Sequence, residues 1–177
     1  MKKLFEISLL FFLSASLCSC PYSSAYYLDE KPNIYVEDAL VGKWITFIID
    51  PRNKREEAVY LNLSKRTDTE YNISLTGGLH KLRPFNVLIS DSLTGTAFMS
   101  TVGDRQFFNI TLNARVYIAE LVVKGDKLSL FPLAESFTAK MIFNSDALRK
   151  SVDVHYKTRV HPLLDNEFCL HDMVKIN

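Results

Sequence analysis

A chain of 177 residues with 21 Lys and Arg against 20 Asp and Glu has the length of one domain and almost no net charge. That balance removes any electrostatic reason to expect nucleic acid or an acidic surface as the main target. An apolar content of 47% is enough for a core without staples, and cysteines only at 18, 20 and 169 give no sign of a disulfide framework.

The first element in chain order is an export segment. Lys2 and Lys3 form a short positive start, and Ile7 to Leu17 are apolar apart from serines and one alanine. The run is too short to span a bilayer, which takes about 20 residues, and suits the apolar region of a signal peptide. It ends Leu17-Cys18-Ser19-Cys20. This resembles the lipobox of bacterial lipoprotein precursors, with Leu three residues before an acceptor Cys and small residues between. The resemblance implies cleavage after Ser19 and a mature protein beginning at Cys20. That residue would carry a diacylglyceryl thioether and an N-acyl chain (palmitate or similar), anchoring the protein in the lipid bilayer of the cell envelope. Pro21, rather than Asp, in the next position implies the outer membrane where a cell has two. Without residues 1–19 the mature chain keeps 19 basic and 19 acidic side chains. Once Cys20 is acylated only the Cys169 thiol remains, so no intrachain disulfide can form and the fold rests on packing.

Residues 20–35 carry Pro21, Ser23, Ser24, Pro32 and Asn33 without a sustained period, and read as a lipidated N-terminus and tether. The domain then occupies 36–177, with one helical turn possible over Val36–Val41 before Gly42. From Trp44 to Phe143 the pattern is strand after strand. Val59, Leu61 and Leu63 alternate with polar neighbours, as do Tyr71, Ile73 and Leu75, then Phe108, Ile110 and Leu112, then Phe137, Ala139, Met141 and Phe143. Such alternation puts one face in a core and the other toward water. Breakers separate the runs at Gly77-Gly78, Ser92 to Gly95, Gly103-Asp104, Asn113-Ala114 and Gly125-Asp126, the rhythm of an antiparallel meander of eight or nine strands. Arg115–Val123 is apolar on both faces and is expected to be covered on both sides. Asn144-Ser145-Asp146 reads as a helix cap, with a short helix over Ala147–Val152. Beyond it, Val152, Val154 and Tyr156 fit a strand extension, and Leu163–Val174 fits either a helical turn or an edge strand.

Gly42-Lys43-Trp44 at the head of the first strand is similar to the Gly-x-Trp motif of the lipocalins, and also resembles the opening of many small bacterial lipoproteins. The lipocalin resemblance implies an all-β fold, an up-and-down antiparallel barrel with Trp44 closing its base, and a helix after the last strand. It also implies a basic side chain near the end of the chain lying over Trp44, with Lys140 or Arg149 as candidates. A barrel or strongly curled sheet is expected in any case, because closure removes exposed strand edges.

Sequons at Asn62, Asn72 and Asn109 all fall inside strands, where alternation accounts for the polar positions. The last third gathers His155, His161, Asp165, Glu167, Cys169, His171 and Asp172. No metal site is expected, since paired ligand spacing is lacking; His161, Cys169 and His171 come nearest to one, because Cys169 and His171 share a face if that stretch is extended. No Gly-x-Ser-x-Gly elbow or His-Glu-x-x-His motif occurs, so no catalytic residue can be named and no cofactor is implied. The sequence therefore points first to a membrane-anchored, non-enzymatic module. It would bind a small apolar ligand in a barrel mouth lined from Trp44, Phe98, Phe108, Tyr117 and Phe131, or dock an envelope protein through an edge or loop. An envelope hydrolase or metal-dependent enzyme using the C-terminal His, Asp and Cys residues, and a purely structural envelope factor, are the alternatives.

Overall fold

The computed structural model describes residues 22–49, 54–78, 92–134, 137–138, 141–158, 163–165 and 169–176. Nine strands form one antiparallel sheet: β1 Ser23–Ser24, β2 Gly42–Ile49, β3 Glu56–Lys65, β4 Tyr71–Gly77, β5 Ser92–Val102, β6 Arg105–Leu112, β7 Arg115–Lys124, β8 Lys127–Pro132 and β9 Leu170–Ile176. A single helix among the described residues, α1 Ser145–Thr158, lies between β8 and β9. Strands β2 to β8 follow one another as an up-and-down meander, and β9 pairs with both β8 and β2. The result is the expected closed barrel, of eight strands, with β1 outside it against β7.

The two ends of the barrel differ. At the base, Gly103 opens the β5–β6 hairpin and Gly125 the β7–β8 hairpin, each with φ of 62°, the positive value that tight hairpin turns require. The segment before β2 closes this end: Leu40 N–H bonds to Glu37 O and Val41 N–H to Asp38 O, the single turn expected there, and Leu40 is buried in the barrel core. Trp44 sits above it and donates its indole N–H to Leu40 O at 2.9 Å. Among the described residues the cation over Trp44 is not the expected Arg149. Lys175 on β9 lies opposite Trp44 in the β2–β9 register, with its ammonium 5.5 Å from the indole and bonded to Ala39 O at 3.0 Å. Gly42 makes room for it: φ is +139°, and a Cβ here would run into the Lys175 stem. Arg149 instead pairs with Asp29 and with Thr101 O, and Lys140 lies outside the described residues.

The barrel interior is filled by alternate residues of every strand, among them Trp44, Leu61, Leu63, Tyr71, Ile73, Met99, Phe108, Leu121, Leu130 and Met173. A second core lies outside the wall of β5, β6 and β7. Val102, Phe107, Val116 and Ile118 point outward there and are covered by Leu148 and Val152 of α1, by Leu133, Phe137 and Leu163, and by Leu28. This is why Arg115–Val123 is apolar on both faces, as its sequence suggests. Residues 22–41, read above as a tether and a turn, are a strap along the barrel. Tyr22 N–H bonds to Leu133 O, Ser23 and Ser24 pair with Tyr117 and Val116, and Leu28 N–H bonds to Asn109 Oδ1 at 2.7 Å. The strap then reaches the base, where Val36 N–H meets Asp68 O.

Three expectations need correction. The helix precedes the last strand rather than following it, because β9 is needed to close the barrel. It is also longer than Ala147–Val152, although its cap is as read: Ala147 N–H bonds to Asn144 Oδ1 at 2.8 Å. The strand expected over 137–143 is absent among the described residues there, with Phe137 buried and Met141 and Phe143 exposed. The closed barrel offers it no free edge, since β1 and β8 share one side of β7 while β9 takes the far edges of β8 and β2. Gly95 is not in a turn but inside β5. A Cβ there would collide with the Thr111 carbonyl, so glycine permits the close approach to β6 that the curved wall demands.

Candidate functional site

The aromatic residues expected to line one cavity do not converge. Trp44 and Phe108 are interior floor residues, fully packed, and Phe108 stands edge-on to Tyr71 at 5.3 Å. Tyr117 points inward nearer the end opposite Trp44 and is half-buried. Phe98 and Phe131 point outward. Phe98 lies under Tyr27 of the strap at 5.1 Å, and Phe131 meets the His171 ring at 4.8 Å on the outer wall. The reason is local: alternation separates two faces, but in a strand apolar on both it does not say which face is inside.

The end opposite Trp44 carries, among the described residues, a ring of half-buried apolar side chains: Ile48, Leu75, Leu93, Leu112 and Tyr117. Below the ring, among the described residues, Leu61, Tyr71, Met99 and Phe108 are buried in the interior, so an apolar ligand would meet the ring first.

The outer wall of β3, β4 and β5 holds a polar groove of about 500 Å³, lined by Asn62, Ser64, Asn72, Ser74, Thr94 and Thr96 with Arg66 at its base end. These are the water-facing positions of three adjacent strands in register: Asn62 opposite Ser74 opposite Thr94, and Ser64 opposite Asn72 opposite Thr96. Asn72 Nδ2 donates to Ser64 Oγ at 3.4 Å, which still leaves most of the groove's hydroxyl and amide groups facing water. Its chemistry suits neutral, hydrogen-bonding partners. The sequons at Asn62 and Asn72 face this groove, whereas Asn109 is buried under the strap, donating to Ser100 Oγ at 2.7 Å and accepting from Leu28.

The wall beneath α1 holds a buried carboxylate, Glu120, which the sequence offers as one of several scattered carboxylates, with Asp50, Glu56, Glu57 and Glu70, and gives no reason to pair. Glu120, 5% exposed, accepts from Arg105 Nη1 at 2.7 Å and from the Tyr156 hydroxyl at 2.6 Å, while the Arg105 guanidinium stacks over the Tyr156 ring at 4.0 Å. Both carboxylate oxygens are engaged, so the group ties α1 to β6 and β7 rather than waiting for a substrate. Burial, then Glu120, pushes the Tyr156 hydroxyl far above its ordinary value, and burial raises Tyr71 as well. A phenol held neutral in the fold contributes stability that is fully present below its unfolded pKa, about 10, and is lost as pH rises beyond it. Urea titrations between pH 7 and pH 11 should therefore show the loss of stability that the half-buried Cys169 thiol begins above about pH 8.5 steepen above about pH 10. Tyr156→Phe should lose about 1–3 kcal/mol at pH 7 and show a shallower alkaline decline. An unchanged urea midpoint would mean the hydroxyl bond does not tie the helix down.

Of the C-terminal residues considered as metal ligands, His161 and Glu167 lie outside the described residues, as does the acylation candidate Cys20. Cys169 is half-buried just before β9, and burial, followed by the nearby Asp165 charge, raises its thiol above the ordinary range. His171 is exposed against Phe131, and His155 belongs to α1, with its ring 5.8 Å from Phe137. Among the described residues no three His, Cys, Asp or Glu side chains come together in a way that could hold a metal ion. No protein-family model, curated protein or solved structure matches the chain.

Proposed function

We propose that the chain is an exported bacterial lipoprotein, held on the envelope membrane by acyl chains on Cys20, and outermost where the cell has two membranes. Its barrel serves as a non-enzymatic docking body for an envelope protein. The observation that carries this reading is the packing of the lower barrel, where among the described residues Trp44, Tyr71, Met99 and Phe108 are buried together, which turns recognition toward the walls and the rim. The groove over β3 to β5 offers a partner a row of hydroxyls and amides, and the Arg66 guanidinium has no ion-pair partner among the described residues. The signal segment and the lipobox-like Leu17-Cys18-Ser19-Cys20 support the location. Against an enzyme stands the self-contained state of the Glu120 cluster, whose partners are all supplied by the fold.

A second reading, a shallow apolar ligand at the mouth, is favoured by the ring of Ile48, Leu75, Leu93, Leu112 and Tyr117. Native mass spectrometry of the lipoprotein purified from its own membranes separates the two. The docking reading expects the mass of the acylated chain and nothing more once detergent is stripped; a stoichiometric apolar adduct that survives stripping would replace it with the ligand reading.

A further inference from the structure

The outer wall of the barrel divides into three parts. The helix and strap cover β5 to β7, and hydroxyls and amides line β3 to β5. The remaining wall, formed by β8, β9 and β2, carries apolar side chains that the described residues leave exposed, beside the polar Lys43, Lys127 and Asp172. Outward residues of β2 include Phe47, 59% exposed, and Ile49, 55% exposed. Ile45 is opposite Val174 of β9, itself exposed, and Phe131 of β8 completes the face. Ile49 and Phe131 lie toward the end opposite Trp44, where β2 and β8 finish.

The N-terminal chain comes out at the border between this wall and the one that helix and strap cover. Tyr22 N–H bonds to Leu133 O, only two residues along the chain from Phe131. Tyr22 also packs its ring on Phe137 at 4.7 Å, so the strap is fixed from its first described residue. Two residues of chain reach at most about 7 Å, so an acylated Cys20 has no length with which to hold the barrel away from lipid. A monomer rarely leaves such a face uncovered without a partner for it. The rim beside it carries Lys54, Arg55, Glu56 and Glu57 with no charge excess, which asks for no anionic lipid.

We propose that the partner of this face is the bilayer surface itself: the β8–β9–β2 wall lies flush on the membrane, with Phe47 and Ile49 in the headgroup boundary and the polar groove turned away from it. The proposal rests on the reading of Cys20 as the acylated residue. It deepens that reading by fixing which side of the barrel an envelope partner can reach.

The test uses the full acylated chain, reconstituted in phosphatidylcholine vesicles with brominated acyl chains, which quench tryptophan at short range. Trp44 is the only native tryptophan and, buried in the barrel core, gives a constant background that also reports an intact fold. Phe47→Trp places a probe on the proposed contact. Thr94→Trp places one on β5, on the opposite wall and also exposed. Emission from the Phe47→Trp probe should fall at least about twofold more than that from Thr94→Trp, as for apolar side chains about 5–10 Å into the headgroup boundary. Equal quenching of both, or of neither, while the chain still floats with the vesicles overturns the flush contact and leaves the anchor standing. Concentration-dependent crosslinking through position 47 without quenching would assign the face to a second copy instead. A wild-type chain that fails to float with vesicles removes the anchor and this inference together.

Discussion

Cys20→Ser is expected to move the protein from the membrane fraction to the soluble envelope fraction and to abolish incorporation of labelled palmitate. The argument is one of free energy and geometry. Each buried methylene of an acyl chain contributes about 0.8 kcal/mol, so two or three chains hold a protein firmly where one holds it marginally. The apolar wall of Phe47, Ile49 and Val174 is far smaller than this and cannot substitute for it. The barrel should not notice the change, because the strap is secured from Tyr22 onward by Leu133, Asn109 and Arg149. The urea midpoint of the released protein should equal that of the anchored one after detergent extraction. A Cys20→Ser protein that still sediments with membranes and still carries acyl label would end the lipoprotein reading. One that leaves the membrane but unfolds would mean that residues before Tyr22 help hold the strap.

The meander was readable because it obeys one rule: in β3, β4 and β6 the apolar positions alternate with polar ones, and the structure buries those positions in the barrel. β9 breaks the rule. Asp172 has φ of 47°, and the β8–β9 register shifts between Leu128 and Leu130, the mark of a bulge. Leu170 and Met173 both face the interior as a result, three residues apart, a spacing that reads as helix as readily as strand. The stretch 137–143 errs the other way. It alternates well, but strand formation needs a free edge, and edge availability is a property of the whole topology.

Functional residues were harder to read for a related reason. Asn109 alternates with Phe108 and Ile110 and looks water-facing; it does point outward, but into a second core made by the strap and α1. Glu120 looks like one more scattered carboxylate until Arg105, 15 residues before it, and Tyr156, 36 after it, close around it. No local pattern encodes such meetings. The polar groove is a middle case. Asn62, Ser64, Asn72 and Ser74 are visibly the wet positions of two strands, but only the register that sets them beside Thr94 and Thr96 makes them one surface.

Phe108 and Phe131 make the difference between the two faces measurable, since the sequence offered both as lining residues. Phe108 is fully buried between Met99 and Ala119 in the β5–β6–β7 register and stacks edge-on with Tyr71. Phe108→Ala leaves a cavity at the centre of a barrel whose closed ring of backbone bonds resists collapse, so the cost should lie at about 3–5 kcal/mol. At about 2–4 °C per kcal/mol for a domain of this size, thermal unfolding should come roughly 10 °C earlier. Phe131 is half-buried on the outer wall, beside the His171 ring and opposite Glu120 in the β7–β8 register. Phe131→Ala should cost no more than about 1 kcal/mol in detergent solution, because the chain around it has nothing to collapse onto. Thermal and urea unfolding of the two variants give the ratio directly. Equal losses would mean that β8 presents Phe131 inward, and the uncovered β8–β9–β2 wall would lose one of its members. A large loss at Phe108 and a small one at Phe131 would place the boundary between a packed interior and an apolar exterior where the strand register puts it, and would leave the exterior as the part of the barrel free to bind.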